Sequence, residues 1–467
     1  MIDIAKRVHD HTWKIDPIVR SVIDTDFYKL LMAQLVFATH RRARVTFSLI
    51  NRSDHVPMAR LIDEGALREQ LDHVRGLSLS RGESTWLRGN TFYGKRWMFR
   101  PDFIQWLEEF RFPEYHLERR GDQYELTFEG PWIESMMWEI PALAILMELR
   151  SRAVLRGLGK LELQVLYARA MTRLWEKIER LDTLDGLSLA DFGTRRRHGF
   201  LWQDWCVQAM AEGLGEKFVG TSNCLLAMRH EVEAVGTNAH ELQMVYTALA
   251  AGQTDTDQPG PDRTRPDQPG PDRARPDQSG PAANAAGGRE AAMRAAQYRV
   301  FRDWSEAYDQ NLRIILPDTY GSRGFYDGAP DWLAGWTGVR VDSGDPATGA
   351  EIAIEFWRRH GQDPREKLVI FSDGLDVERI AALHAQFAGR VRLAFGWGTL
   401  MTNDFRGLVA GDALAPFSLV CKAVSADGTP CVKLSDNPEK AVGPEAEVAR
   451  YKRVFGLGAQ TARPVIV

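Results

Sequence analysis

A repeated unit of strand, polar loop and helix constrains the fold more than any other feature of this sequence. Short apolar segments end in polar residues and precede segments whose apolar residues recur at helical spacing. The strand segments read LSLADFG, EKFVGTSN, VEAVGTNAHE, RIILPDTY, TGVRVDSGDP, KLVIFSDGLD and VRLAFGWGT. Helices are predicted between the later ones at 350–360 and 377–387. This alternation is typical of a parallel α/β barrel.

Strand patterns also occur at both ends of the chain, outside the repeated units. Near the N-terminus VTFSLI (45–50) and YELTF (124–128) are predicted strands, and helical spacing follows at 133–152 and 161–181. Near the C-terminus FSLVCKAVSADGTPCVKLSD is predicted to form a hairpin around Asp427-Gly428. We therefore expect the two ends to form one β layer beside the barrel. The predicted domains are 1–135 and 411–467 for the two parts of that layer and 136–410 for the barrel.

A Pro-rich insertion interrupts the barrel region. A ten-residue unit repeats as DQPGPDRTRP, DQPGPDRARP and DQSGP, and a stretch rich in Ala and Gly follows. Such a composition cannot bury enough apolar surface to fold. The sequence therefore predicts a disordered surface insertion over 253–290.

Charge and cysteine content exclude several classes of protein. The 467 residues contain 59 Lys and Arg against 63 Asp and Glu, a formal net charge of −4, so nothing attracts the chain as a whole to nucleic acid or anionic membranes. Four cysteines, without a C-x-x-C pair, fit a reducing compartment. No signal-peptide pattern opens the sequence, and the longest apolar run, near 141–147, is too short to span a membrane. We expect a cytoplasmic protein that binds neither nucleic acid nor membranes.

The polar residues at the predicted strand ends form the candidate site, because the active site of an α/β barrel lies at the carboxyl ends of its strands. These segments are 191–197, 220–223, 236–241, 318–319, 340–345, 372–374 and 395–399. Backbone N–H groups at Gly398-Thr399 are suited to phosphate. Arg195 to Arg197 and Arg340 can bind carboxylate or phosphate. Three aspartates can accept hydrogen bonds from sugar hydroxyls or hold Mg²⁺ through water: Asp342, Asp345 and Asp373.

Eight ordered segments carry a family resemblance. TDFYKLLM, DFGTRRR, FVGTSN, VGTNAHE, RVDSGDP, FSDGLD, FGWGT and KLSDNPEK resemble the nicotinate phosphoribosyltransferase family, over about 23–455. The resemblance implies a type II phosphoribosyltransferase fold, an irregular α/β barrel with an open-faced β sandwich. It implies a homodimer with active sites at the interface, and transfer of phosphoribosyl from phosphoribosyl pyrophosphate to nicotinate, giving nicotinate mononucleotide and pyrophosphate. It also implies coupling to ATP through a phosphohistidine, with Mg²⁺ held through phosphates.

The resemblance assigns roles to individual residues. Tyr28 resembles an aromatic residue that reaches across the dimer to stack on the pyridine ring, with Phe192 on the other face. Arg195 and Arg340 resemble the residues that hold the nicotinate carboxylate and the phosphates. Ser222 stands where an amide-using relative would place Asp, which favours the acid as substrate.

His240 resembles the phosphorylated histidine, with Asp318 as its hydrogen-bonding partner and Glu241 as the second choice. Asp342 and Arg340 complete the catalytic set. The remaining substrate-binding residues are Asp345, Asp373, Gly374, Gly398, Thr399 and Lys433. Two residues depart from expectation, since Trp397 and Leu400 are larger or less polar than the positions suggest.

Other functions remain open at this point. A nicotinamide or a quinolinate phosphoribosyltransferase of the same fold is the nearest alternative; Ser222 argues against the first and His240 against the second. A barrel that binds a phosphosugar without turnover is another. A glycoside hydrolase with paired carboxylates at Asp342 and Asp373 is a further one, although it would need no Arg cluster.

Overall fold

A computed structural model describes residues 17–252, 281–458 and 462–463 of the chain. The strands of this part, in chain order, are β1 (Arg44–Asn51), β2 (Thr91–Phe92), β3 (Lys95–Arg96), β4 (Tyr115–Arg120), β5 (Gln123–Pro131), β6 (Leu189–Asp191), β7 (Phe218–Thr221), β8 (Glu233–Ala234), β9 (Ile314–Ile315), β10 (Gly338–Val341), β11 (Leu368–Phe371), β12 (Arg392–Trp397), β13 (Leu419–Ala426) and β14 (Thr429–Pro430).

Helices connect and cover these strands. The longer α-helices are Phe27–Thr39, Glu64–Arg75, Arg81–Gly89, Pro101–Glu109, Glu139–Leu155, Lys160–Asp182, Phe200–Leu214, Cys224–His230, His240–Gly252, Pro281–Ala307, Ser322–Asp327, Pro346–Arg359, Val377–Phe387 and Glu445–Val454. The shorter ones are Met58–Leu61, Trp132–Ser135 and Thr399–Thr402. Within the described ranges, no helix has both the length and the apolar character needed to span a membrane.

The seven predicted strands of the repeated units form one parallel sheet in the order β8-β7-β6-β12-β11-β10-β9. Since every pair is parallel, the carboxyl ends of the strands meet at one edge. A side chain joins the two outer strands, because Asn238, just after β8, donates from Nδ2 to the Ile314 carbonyl of β9 at 2.9 Å. The sheet is thus curled into an irregular barrel, and the predicted α/β fold is confirmed.

The second large sheet is antiparallel, in the order β14-β13-β1-β5-β4. β1 lies between β5 and β13, with Phe47 opposite Phe128 on one side and Leu49 opposite Cys421 on the other. The chain ends therefore do meet in one layer, and the hairpin around Asp427-Gly428 is confirmed by the pairing of β13 with β14. A continuous hydrophobic core joins both sheets.

The prediction of disorder over 253–290 is wrong for its last residues. A helix runs through Pro281–Ala307, so 281–290 are helical, whereas 253–280 lie outside the described residues. The physical reason is the alanine content of PAANAAGGREAAMRAA, which offsets the low helix propensity of its two glycines. Packing adds to this, because the Tyr246 hydroxyl of the preceding helix donates to Asp303 Oδ2 at 3.0 Å.

Candidate functional site

A pocket lies at the carboxyl edge of the parallel sheet, and the antiparallel sheet forms its opposite wall through Phe47 of β1 and Leu419 to Ala423 of β13. Most of the residues that the sequence singled out line it. They are Tyr28, Phe192, Arg195, Ser222, His240, Arg340, Asp342, Asp373, Gly374, Gly398, Thr399 and Lys433. The loops that follow parallel strands thus converge as the fold class requires.

Two predicted site residues do not line the pocket. Asp345 caps the helix Pro346–Arg359, where its Oδ2 accepts from the Thr348 backbone N–H at 2.9 Å and from the Thr348 hydroxyl at 2.8 Å. Its other oxygen lies 3.2 Å from Arg463. These contacts explain Asp345 as a structural N-cap. Asp318 lies behind the pocket wall and is buried next to His240.

His240 is the first residue of the helix His240–Gly252, and both of its ring nitrogens have partners. Nδ1 lies 2.9 Å from the Thr319 hydroxyl, and Nε2 lies 3.0 Å from Asp342 Oδ2. The predicted partner, Asp318, lies 3.7 Å from Nε2, beyond hydrogen-bond distance. Asp342 therefore takes the place that the sequence assigned to Asp318.

Glu241, the second predicted partner of His240, is held elsewhere. Its Oε1 accepts from the indole N–H of Trp132 at 2.7 Å, and its Oε2 is paired with the buried Lys29. Lys29 also lies 2.6 Å from Glu139, so the three side chains form a buried ionic cluster at the base of the pocket. Glu241 is thus a structural counter-ion.

Burial and charge set the protonation states around His240. Burial lowers the pKa of His240 to about 4, although the carboxylates of Asp318 and Asp342 act in the opposite direction. Burial raises the pKa of Asp342, but Arg340 and His240 lower it more strongly, so its pKa lies well below the usual range. The imidazole is therefore neutral and the carboxylate ionised near pH 7.

The pocket carries an excess of positive charge. Of the described residues that line it, seven are Lys or Arg and five are Asp or Glu. The cations are Arg52, Arg195, Arg196, Arg340, Lys422, Lys433 and Lys440, and the anions are Asp26, Glu139, Glu241, Asp342 and Asp373. Such a pocket concentrates anions, and phosphorylated ligands most of all.

Lys433 and Arg340 are the cations beside the two carboxylates next to His240, those of Asp318 and Asp342. Burial lowers the pKa of Lys433 to about 8, although Asp318, 4.0 Å away, and Asp342 raise it. Arg340 lies 3.7 Å from Asp342, and its buried Nε has no hydrogen-bond partner among the described residues. A donor left unpaired inside a pocket is well placed for a ligand oxygen.

The three arginines of the predicted cluster have different surroundings. Arg195 and Arg196 line the pocket. Arg197 does not, because it is fully buried and makes two hydrogen bonds to Asp24 at 2.8 and 3.0 Å. The expectation that all three can bind a ligand is therefore wrong for Arg197, which fixes the N-terminal segment to the barrel.

Tyr28 and Phe192 bring two aromatic rings to the pocket. The Tyr28 hydroxyl donates to Glu139 Oε2 at 3.2 Å, and the Arg195 guanidinium lies 5.7 Å from the centre of the Tyr28 ring. Tyr28 lines the pocket of its own chain, and its reach across a dimer interface stays a prediction. Phe192 needs Gly396 beside it, since a Cβ at 396 would lie 2.2 Å from the Phe192 ring.

Ser222 lies next to a carboxylate that the sequence did not single out. Its hydroxyl donates to Asp26 Oδ1 at 2.7 Å, and Arg195 Nε lies 3.4 Å from Asp26 Oδ2. Burial raises the pKa of Asp26, while Arg195 lowers it to a smaller extent. Asp26 stands two residues before Tyr28 in TDFYKLLM, and an acidic residue directly before an apolar helix was the available signal.

The two unusual residues at and after the end of β12 differ in position. Trp397 is buried outside the pocket, with its indole N–H on the Leu375 carbonyl at 3.0 Å. Leu400 lines the pocket together with Gly398 and Thr399. The size of Trp397 therefore does not obstruct the site.

Comparison with known proteins agrees with this architecture. The model of the nicotinate phosphoribosyltransferase (NAPRTase) family matches residues 187–459, and the model of its N-terminal domain matches 23–147. A nicotinate phosphoribosyltransferase from Vibrio cholerae is 29% identical, with a TM-score of 0.78 and 96% of each chain covered. One from Porphyromonas gingivalis is 25% identical, with a TM-score of 0.76, covering 94% of this chain and all of that one. The family model spans more than half of the sequence, and this chain therefore belongs to the nicotinate phosphoribosyltransferase family.

Proposed function

We propose that this chain transfers phosphoribosyl from phosphoribosyl pyrophosphate to nicotinate and couples the transfer to ATP hydrolysis through phosphorylation of His240. The products are nicotinate mononucleotide and pyrophosphate, a step of NAD biosynthesis, and family membership supports this transfer. The observation that carries the ATP coupling is a neutral, buried His240 whose Nε2 lies at the edge of a cationic pocket, 3.0 Å from Asp342.

The surroundings of His240 suit a phosphoryl acceptor. His240 lines the pocket, and its ring is held by the Thr319 hydroxyl, 2.9 Å from Nδ1, and by Asp342, 3.0 Å from Nε2. A neutral imidazole is a competent nucleophile, and the carboxylates beside it stabilise the positive charge that forms on the ring.

The other pocket residues are suited to hold the substrates. Lys433, Lys440 and Arg340 can neutralise phosphates, and Arg195 can pair with the nicotinate carboxylate. Phe192 and Tyr28 offer ring faces for the pyridine. Asp373 is paired with Lys440 at 2.5 Å, which leaves one of its oxygens for a ribose hydroxyl.

We propose that Mg²⁺ is held at this site mainly by the phosphate groups of the substrates and only to a small extent by protein side chains. Among the described residues no group of three or more His, Cys, Asp or Glu side chains is arranged to bind a metal. Mg²⁺ commonly binds through substrate phosphates with one or two carboxylates, and Asp342 and Asp373 line the pocket and could supply them. The ion would neutralise phosphate charge there.

A homodimer and a cytoplasmic location are part of the same proposal. Trp97 is 78% exposed and Tyr93 is 40% exposed, on either side of β3, so this hairpin offers apolar surface that a second copy can cover. Each of the four cysteines is free and buried, which fits a reducing compartment. Light scattering of the purified chain tests the dimer.

The transfer reaction is tested by pyrophosphate release. We expect release from phosphoribosyl pyrophosphate only when nicotinate is added, and faster release when ATP is present. Nicotinamide is the second candidate substrate, because Asp26 beside Ser222 can accept from an amide NH₂. Higher kcat/KM for nicotinamide than for nicotinate would contradict the proposed acid substrate.

The phosphohistidine is tested by labelling with γ-labelled ATP and peptide mapping. The label should lie on His240, and His240→Ala should abolish both label and ATP hydrolysis while slow nucleotide synthesis remains. His55→Ala, at an exposed histidine, is the matched control and should label normally. No label on the wild-type chain while nicotinate is turned over would contradict the coupling.

A further inference from the structure

We propose that Tyr93 is a positioning residue for the pyridine substrate, because its hydroxyl holds the pocket loop at Gly236 against the helix start that carries Tyr28. This inference rests on the proposed function, which places the pyridine ring between Tyr28 and Phe192. It adds a residue from outside the barrel, since Tyr93 belongs to the hairpin of β2 and β3. Tyr93 is not among the residues that line the pocket, so it is not expected to touch the substrates.

The backbone of Tyr93 has an unusual conformation. β2 and β3 are joined by two residues only, Tyr93 and Gly94, and both have positive φ, 50° and 73°. Such a turn favours Asn, Asp or Gly, and a bulky aromatic residue at positive φ is strained. Strain of this kind persists where the surrounding contacts hold a residue in place, and it is concentrated at functional sites. The contacts of Tyr93 therefore indicate what the strained turn is used for.

The Tyr93 hydroxyl makes two hydrogen bonds to a single residue. It accepts from the Gly236 N–H at 2.7 Å and donates to the Gly236 carbonyl at 3.0 Å. Within the described ranges, neither group of Gly236 has another hydrogen-bond partner. Gly236 is buried, so loss of the hydroxyl would leave both groups without a protein partner. Burial raises the pKa of Tyr93, and the hydroxyl therefore keeps the proton that it donates.

Gly236 lies between Tyr93 and the helix Phe27–Thr39. A Cβ at 236 would lie 2.7 Å from the backbone nitrogen of Tyr28 and 3.2 Å from Cβ of Phe27, so only glycine allows this close approach. Gly236 and Tyr28 both line the pocket. Tyr93 also contacts the helix directly, since its ring centre lies 6.4 Å from that of Phe27. The hairpin thus fixes the position of one pocket wall relative to the other.

The downstream half of the same loop is held independently. Asn238 donates from Nδ2 to the Ile314 carbonyl at 2.9 Å, and its side chain is 2% exposed. This bond lies between Gly236 and His240 along the chain, so the histidine has its own support in the barrel. We therefore expect Tyr93 to affect the pyridine end of the pocket and to leave the chemistry at His240 unchanged.

Tyr93→Phe removes the hydroxyl and keeps the ring. Loss of two hydrogen bonds to a pocket wall should raise the KM for nicotinate about 10-fold, with kcat and the KM for phosphoribosyl pyrophosphate within about twofold of wild type. ATP hydrolysis without nicotinate should also stay within about twofold. A merely structural residue would not change one KM alone, so this selective rise identifies a positioning role.

Tyr115→Phe is the matched control. It also removes a single tyrosine hydroxyl, one that bonds to Asp72 at 3.0 Å on the exposed edge strand β4, and it should keep the wild-type KM for nicotinate. An unchanged KM for nicotinate in Tyr93→Phe would overturn the proposal, as would an equal loss in all parameters. A wild-type chain that does not use nicotinate would instead refute the proposed function, and the positioning role with it.

Amide hydrogen exchange measured by mass spectrometry locates the change within the chain. Peptides covering 233–239 should exchange faster in Tyr93→Phe than in the wild type, because the Gly236 N–H loses its acceptor. Peptides from the parallel sheet should exchange at the same rate in both proteins. Unchanged exchange over 233–239 would overturn the proposal, and so would faster exchange throughout the chain. This readout needs no substrate, so it remains informative whichever pyridine the enzyme uses.

Tyr93→Asn provides a second route if Tyr93→Phe does not fold. Asn is well suited to this turn position, so the substitution relieves the backbone strain, but its side chain is too short to replace the hydroxyl at Gly236. The hairpin should therefore remain while the KM for nicotinate rises as in Tyr93→Phe. A folded Tyr93→Asn protein with the wild-type KM for nicotinate would overturn the proposal.

Discussion

The hydroxyl of Ser222 donates to Asp26, 2.7 Å away, so a carboxylate already lies beside the residue that we propose distinguishes acid from amide substrates. Arg195 lies 3.4 Å from the other oxygen of Asp26. A nicotinate carboxylate that pairs with Arg195 must therefore compete with Asp26. The sequence suggested that Ser222 leaves this part of the pocket without a carboxylate. In the structure the Ser222 hydroxyl instead stabilises the carboxylate of Asp26.

Ser222→Asp should raise the KM for nicotinate about 10–100-fold, equivalent to roughly 1.4–2.7 kcal/mol. The new carboxylate would lie beside Asp26, and the two together would repel the substrate carboxylate. Ser222→Asn, which is similar in size but neutral, is the matched control and should have the smaller effect. The measurement is initial rates over a range of nicotinate concentrations. Equal KM values for the Asp and Asn variants would contradict an electrostatic role of this position.

Lys433 should make phosphate binding depend on pH. Burial lowers the pKa of Lys433 to about 8, so its ammonium loses its charge as pH rises through about 8, well below the usual range for lysine. We expect the KM for phosphoribosyl pyrophosphate to rise above this pH. Lys433→Arg, which stays charged, should remove the rise. KM profiles of wild type and Lys433→Arg that remain parallel from pH 7 to pH 9.5 would show that the charge of Lys433 is not used.

The sequence predicted the position of a residue correctly where that residue directly follows a parallel strand. Parallel strands force the loops with Phe192, Ser222 and Asp373 to one edge, so these positions could be predicted from strand order alone. The partners of His240 could not, because Asp318 and Thr319 lie in the loop after β9 and both approach the ring, and the local pattern does not fix that Thr319 is at hydrogen-bond distance while Asp318 is not.

Residues supplied by the antiparallel sheet were also beyond prediction. Arg52 follows β1 and Lys440 follows β14, and only the pairing of distant strands brings them to the pocket. β4 was missed for a different reason. Its sequence YHLERR has a single buried residue, Leu117, because it is the exposed edge of the sheet. Edge strands with many charged residues lack the apolar alternation by which strands are recognised.

Gly396→Ala should displace the Phe192 ring, because the added Cβ would lie 2.2 Å from it. We expect a loss of about 1–3 kcal/mol in the free energy of unfolding, as for other overpacked sites, and a higher KM for nicotinate. Gly335→Ala is the control, since a Cβ at 335 meets no atom within 4 Å. Denaturant unfolding and nicotinate saturation curves measure the two effects. A Gly396→Ala protein as stable as Gly335→Ala would show that the ring can move aside freely.

Removal of residues 253–280 should leave fold and activity intact. The helices on either side, His240–Gly252 and Pro281–Ala307, are joined by the Tyr246 to Asp303 hydrogen bond, so their packing does not depend on the connection between them. Replacing the segment by a Gly/Ser linker of about twelve residues changes the loop-closure entropy by about 0.6 kcal/mol per halving of length, a small fraction of the stability of a domain.

A Gly/Ser segment of the original length is the matched control, because it separates the effect of sequence from that of length. We expect both proteins to unfold within a few degrees of the wild type, to keep kcat within about twofold, and to keep the same oligomeric state in light scattering. Loss of folding or activity in both would show that the native segment stabilises the barrel, and loss in the short version alone would show that the span itself is required.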